Sequence, residues 1–337
     1  MHSKTLRTRR VAGALVSNEP LWLRALLIGA AYALIGGLIV VPLAYVFIQA
    51  LGMSGWVEGL AGEISRQVLL RPRIESSPGL TALLSEFWPT LRQGGQNYYQ
   101  NLFVDPDSRH ALWLTLTVAP VAVAMNTLFG LAAAWLITKF KFPGRTLLIT
   151  LLDVPFAVSP VVAGLMFVLL FGAQGYFGPY LISHGIKILF AWPSILLATI
   201  FVTLPFVARE LIPLMESLGS EEEVAAVSLG ANRWQLFWRV TLPNIKWGLL
   251  FGIIQCNARA IGEYGAVYVV SGRITGETDT LPIRVEKLFQ QPGQMSACYA
   301  VASLLTLMAL ATLFFRYWLE STVAAQLAAA DAEETPE

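Results

Sequence analysis

The stretch EEEVAAVSLGANRWQLFWRVTLP, residues 221–243, lies between two apolar runs at 190–212 and 244–270. A connector between neighbouring helices needs about 2–8 residues. The segment from Pro213 to Pro243 is several times longer, and it is patterned. Glu221, Glu222 and Glu223 suit the first turn of a short helix, where negative charge complements the helix dipole. Gly230 predicts where that helix ends. Ala225, Ala226 and Gly230 form a small-residue face that lets another surface approach closely. Trp234, Phe237, Trp238 and Thr241 recur at i, i+3, i+4 and i+7, which predicts a second, amphipathic helix. Leu242 and Pro243 open the next apolar run, where the missing proline N–H costs nothing. Two readings fit this pattern: a docking element for a partner, or an interfacial elbow with tryptophans at the headgroup level.

The chain around this segment has 337 residues, 55% of them apolar and 13% charged. Soluble domains carry roughly 25% charged residues, so an ordinary water-soluble globule is excluded. A formal net charge of +1 argues against nucleic-acid binding. Crossing a bilayer takes roughly 20 apolar residues of helix. Six segments qualify: 25–51, 111–138, 146–172, 190–212, 244–270 and 295–316. The first follows a basic start (Lys4, Arg7, Arg9, Arg10, Arg24) and is too long for a cleaved signal. It reads as a retained first helix. Lys and Arg in the short loops concentrate on the side that holds residues 1–24, 139–145, 209–246 and Arg316. By the positive-inside rule both termini are expected in the cytoplasm.

Residues 52–110 are then an outer insertion with a mixed, mildly amphipathic pattern. Gly94, Gly95, Gln96 and Asn97 read there as a flexible patch, and the segment as a solvated or lipid-surface loop or a docking surface. The Ala-rich, then acidic end (Asp331, Glu333, Glu334, Glu337) reads as a fraying, solvated tail. Cys256 and Cys298 lie in apolar stretches and read as small buried hydrophobes. His2, His110 and His184 have no second ligand at metal spacing, so no metal site is expected. The chain lacks GxxxxGK[ST], GxSxG and HExxH runs. It should not hydrolyse ATP itself.

The 221–243 segment resembles the Glu-Ala-Ala…Gly…Ile-x-Leu-Pro motif of ABC-importer permease subunits. Longer stretches resemble the sulfate/thiosulfate permeases of the CysW type: PFAVSPVVAG (155–164), LFGAQG (170–175), WRVTLPNIKWG (238–248), NARAIGEYGAV (257–267), VSG (270–272) and GETDTLP (276–282). The likeness covers about residues 111–316. It implies an all-α integral membrane protein with six transmembrane helices of type I ABC-importer permease architecture. The expected organisation is a basic cytoplasmic N-terminus (1–24), a first helix (25–51), a periplasmic insertion (52–110), a five-helix core (111–316) holding the cytoplasmic loop 213–243, and a cytoplasmic tail (317–337). The insertion is longer than the family's usual outer segment.

The resemblance makes the loop a coupling helix that docks on an ATPase, through Glu222, Glu223, Ala225, Ala226, Gly230, Leu242 and Pro243. Val224 stands where the family has its glutamate. Glu223 lies about 100° of helical rotation away from that position, so it need not make the same contact. The implied complex holds a second related permease, two ATP-binding subunits carrying ATP and Mg, and a periplasmic sulfate-binding protein, in the inner membrane of a prokaryote. Transport by alternating access is implied.

Ionisable groups inside a membrane are functional candidates. Arg259 and Glu263 lie four apart on one helical face. Arg259 either offers guanidinium donors to a passing sulfate or is neutralised by Glu263 as a structural pair. Asn257 is a neutral donor nearby. Asp153, followed by Pro155 and Ser159-Pro160, marks either a broken helix beside a pathway or a packing kink. An acidic group disfavours an anion, so Asp153 is expected to be structural or a gate. The rivals are a molybdate, tungstate or thiosulfate importer, an ATP-independent secondary carrier or channel, and a membrane enzyme or scaffold.

Overall fold

The computed structural model describes residues 21–69 and 80–334. The basic start through Arg10 and the last three residues lie outside them. Regular structure among the described residues is helical throughout. The helices are α1 (Leu21–Ala50), α2 (Ser54–Leu69), α3 (Leu80–Tyr99), α4 (Pro106–Lys139), α5 (Arg145–Ala157), α6 (Pro160–Phe171), α7 (Gly178–Ser183), α8 (Trp192–Thr203), α9 (Pro205–Leu218), α10 (Glu221–Ser228), α11 (Arg233–Leu236), α12 (Leu242–Ile261), α13 (Gly265–Val270), α14 (Leu281–Gln290) and α15 (Met295–Glu334).

The centre of the bundle is α4 packed against α9 and α12. Val123, Ala134, Val207, Leu211, Ile245 and Cys256 are buried in that core. In a bilayer, lipid tails are as apolar as leucine, so close van der Waals packing and small residues hold helices together. Gly130 shows this. A Cβ there would lie 2.8 Å from the Val207 Cβ and 3.0 Å from the Ala208 backbone nitrogen. A Gly130→Leu variant should therefore lose about 1–3 kcal/mol through overpacking. Its folded fraction in a detergent denaturation series should drop well below that of Gly130→Ala.

Among the described residues, four helical segments are long and apolar enough to cross a membrane: Ala25–Ala50, Pro106–Lys139, Trp192–Leu218 and Met295–Thr322. The other two expected spans differ from simple crossings. The run 146–172 is split into α5 and α6, which meet at 106°. Pro160 disfavours helical backbone at the residue before it, and Val158 (ψ 131°) and Ser159 (ψ 135°) leave the helix. The run 244–270 is likewise split. Helix α12 stops at Ile261, and α13 begins at Gly265. The two breaks meet, because a Cβ on Gly265 would lie 3.0 Å from Pro160 and one on Gly164 would lie 2.8 Å from the Ala266 carbonyl oxygen.

Three further expectations need correction. The fourth span runs on through Pro213 to Leu218, so the loop proper is shorter than 213–243. Gly94 to Asn97 belong to helix α3, and Gly94 packs against the Leu51 backbone, where any Cβ would collide. The last helix continues past Arg316 to Glu334.

Candidate functional site

Two regions hold the residues singled out from the sequence: the loop after α9, and the neighbourhood of the two helix breaks.

The loop turns at Gly219, whose φ of 69° and ψ of −151° suit only glycine. Helix α10 follows with Glu221, Glu222 and Glu223 in its first turn. Gly230, at φ 87°, ends it. The Gly230 and Ala231 amides donate back to the Val227 and Ala226 carbonyls at 2.9 and 3.0 Å. Asn232 and Gln235 then cap α11 reciprocally, side chain to backbone in both directions. The expected amphipathic helix is α11 followed by a π-helical turn, Phe237–Thr241, which runs without a break into α12. Pro243 sits in the first turn of α12, where its missing N–H is harmless.

Glu222 and Glu223 turn to their own chain. Glu223 pairs with Lys139 at 3.0 Å and accepts from the Thr241 hydroxyl at 2.9 Å. Lys139 also donates to the Gly219 carbonyl at 2.8 Å, and Asn244 donates to Glu222. The latch therefore joins α10 to the end of α4 and the start of α12. Outward, α10 buries no residue. Val224 is 61% exposed, Leu229 89% and Trp234 72%. Ala225 and Gly230 lie exposed beside them, while Ala226 and Leu242 are half-buried. Exposed apolar side chains in a loop of this kind mark an interaction surface. Replacing Lys139 with methionine keeps the stem and removes the charged bonds, each worth about 1.5–3 kcal/mol. The expected result is faster proteolytic cleavage between Gly219 and Arg233 with the bundle intact.

At the second region, Arg259 and Glu263 form an ion pair of 2.6 Å. Glu263 is 1% exposed and Arg259 34%. The Glu263 carboxylate also accepts from the Ala266 amide at 3.0 Å. It thus satisfies backbone freed by the break between α12 and α13, as a membrane interior requires. Among the described residues Arg259 has no other ion pair. Ser159 is exposed at the facing break. Asp153 is held apart from this group, paired with Arg209 at 2.8 Å, and Arg209 lies over the Phe156 ring. Asn257 points elsewhere again. Two residues from Arg259, it is rotated about 200° around the helix. It lines an apolar groove of about 750 Å³ with Leu128, Phe315 and Trp318.

The far end of the bundle carries charge pairs that sequence reading passed over. Arg284 pairs with Asp105 at 2.9 Å and Asp107 at 3.5 Å. Burial pushes the Asp105 carboxyl up, but hydrogen bonds from Ser108 and the Arg284 charge outweigh it and hold it below its ordinary value. Buried Asp279 pairs with Lys287 at 2.8 Å. A signal existed for that pair: Asp279 lies within the GETDTLP stretch, and Lys287 follows eight residues on.

Comparison with known proteins places this geometry in context. Residues 126–325 match the family of binding-protein-dependent transport system inner membrane components. The sulfate transport system permease protein CysW of Escherichia coli K12 is 51% identical over 255 residues, covering 76% of this chain and 87% of that protein. CysW of Synechococcus elongatus is 43% identical over 320 residues, covering 94% of this chain and 96% of its own. Among solved structures, a bacterial alginate ABC transporter in complex with an alginate-bound periplasmic protein superposes with a TM-score of 0.56. It covers 80% of this chain and 97% of its own at 16% identity, a likeness of fold.

Proposed function

Because the chain belongs to the family of inner membrane components of binding-protein-dependent transport systems, we propose that it forms half of the translocation pathway of an ATP-driven sulfate importer. It is a multi-pass membrane protein and a permease component. The observation that carries the coupling role is the bare face of α10. Glu222 and Glu223 are spent on its own chain, at Asn244, Lys139 and Thr241, and its apolar side chains are left uncovered. A partner ATPase pair, carrying ATP and Mg, would cover that face. Closure of the pair would move α10 as a rigid lever, because the latch ties it to α4 and α12 together. The gate then opens to the outside and resets on hydrolysis, which is alternating access.

Val224 replaces the glutamate that the family motif has at this position. Since Glu223 faces inward, the contact at this point of the docking face is apolar. Both termini lie in the cytoplasm, a second related permease completes the pathway, and a periplasmic binding protein delivers sulfate. Sulfate has acceptors only, and it would meet donors from Arg259, whose guanidinium is partly open. Weak binding there suits a path the anion must leave.

The test is to purify the chain from its native membrane, identify what accompanies it, and measure ATPase activity with and without sulfate and binding protein. Co-purification of a nucleotide-binding subunit and sulfate-dependent turnover are expected. A chain that comes out alone, or turnover indifferent to sulfate, would overturn the reading.

A further inference from the structure

Among the described residues, two that are not glycine have positive φ: Phe190 at 56° and Arg273 at 54°. Such backbone persists only where surrounding contacts over-determine it, and it gathers at binding sites. The two positions are joined. The Phe190 amide donates to the Val270 carbonyl at 3.0 Å. The Phe190 ring lies against Gly272, where a Cβ would come within 2.6 Å of it. The Arg273 carbonyl accepts from Lys287 at 2.6 Å, and its amide donates to the Ser271 hydroxyl at 3.2 Å.

These contacts fix the Arg273 backbone and leave its side chain without an ion pair among the described residues. Lys287 is already neutralised by Asp279. Among the described residues no carboxylate pairs with Arg273. Its exposed guanidinium lies over the Tyr268 ring at 4.5 Å and donates to the Tyr268 hydroxyl at 2.7 Å. The Tyr268 ring contacts that of Tyr264, with centroids 5.1 Å apart. Tyr264 directly follows Glu263, the partner of Arg259. An arginine that served only to hold the loop would be expected among carboxylates, as Arg284 is between Asp105 and Asp107.

We propose that Arg273, with the Tyr268 hydroxyl beside it, is a receiving site for a tetrahedral dianion on the route to Arg259. The proposal rests on the sulfate-transport reading above. Because the Tyr268 oxygen accepts from Arg273, its own proton is free to donate. Guanidinium N–H and phenol O–H groups together supply what sulfate oxygens need. The nearby Lys287 is held by Asp279, so a single free guanidinium keeps the site weak enough to release its ligand.

The strained backbone supplies the test. Glycine adopts φ 54° without penalty, so Arg273→Gly should assemble into the transporter at least as well as the parent. Sulfate is titrated into the assembled transporter, without the external binding protein, at constant ionic strength set with chloride. Binding is read by equilibrium dialysis of radiolabelled sulfate. The parent should bind saturably. Arg273→Gly should weaken binding by about tenfold or more, as expected for loss of a charged hydrogen bond. Tyr268→Phe, which keeps the ring and removes the hydroxyl, should fall between. Unchanged sulfate affinity in Arg273→Gly overturns the proposal, and so does a parent with no saturable binding. Sulfate uptake by the parent, measured separately with binding protein present, keeps the transport reading standing in either case. Its absence there sinks that reading as well.

Discussion

Tryptophan at Gly230 is expected to abolish sulfate uptake, with a loss of at least a hundredfold, while alanine there retains most of it. The two substitutions share one cost. At φ 87° any side chain sits in left-handed backbone, which disfavours L-residues by roughly 1–2 kcal/mol. Space does not separate them locally, since nothing lies within 4 Å of a Cβ at Gly230. What separates them is the outer face. Gly230 lies exposed beside Ala225 and Leu229, and an indole there holds off any surface that docks closely. Uptake and recovery of the nucleotide-binding subunit are measured together. A tryptophan variant that transports normally with its ATPase bound would refute the docking role. Equal damage from alanine would assign the effect to the helix cap.

The second large effect is expected at Arg259. Removing the guanidinium in Arg259→Ala leaves Glu263, 1% exposed, without its cation. Breaking a fully buried pair from one side costs about 3–5 kcal/mol; with Arg259 partly open the loss is smaller, and folded Arg259→Ala in the membrane should fall clearly below the parent. Arg259→Ala combined with Glu263→Gln should restore folding. Glutamine keeps an oxygen for the Ala266 amide and carries no charge. Sulfate uptake by that double variant should remain low, because the donors are still missing. Normal accumulation of the single variant would show that the pair holds nothing. Normal uptake by the double variant would remove Arg259 from the path.

Legibility in the sequence followed the range of the signal. Gly230 and the three glutamates of α10 act within one turn of helix, so both ends of that helix could be read from composition. The pairing of Arg259 with Glu263 could be read from their spacing of four, but not which partner is buried. Pro155 and Pro160 advertised a break, yet not its 106° angle or its packing against Gly265, far along the chain. The matching break at Gly262–Tyr264 has no proline to announce it. Gly94 looked like a flexible patch because glycine is common in loops, whereas here it permits contact with the Leu51 backbone. Arg284 and Asp105 are 179 positions apart, and no periodicity reaches that far. The inward turn of Glu223 depends on Lys139, at the end of another helix.

The meeting of the two helix breaks also sets a timetable for biogenesis. Pro160 and Gly164 cannot reach their final neighbours until Gly265 and Ala266 have been synthesised. At about 5–20 residues per second, the intervening hundred or so residues take on the order of 5–20 s. Over that interval α5 and α6 are in the membrane without the contacts that hold their bend. The nascent segment must wait at the insertion machinery or cross as a straighter helix and re-fold when α13 arrives. A ribosome stalled before residue 260 would therefore leave the bend between α5 and α6 without the contacts of Gly265 and Ala266 that pack it in the finished protein.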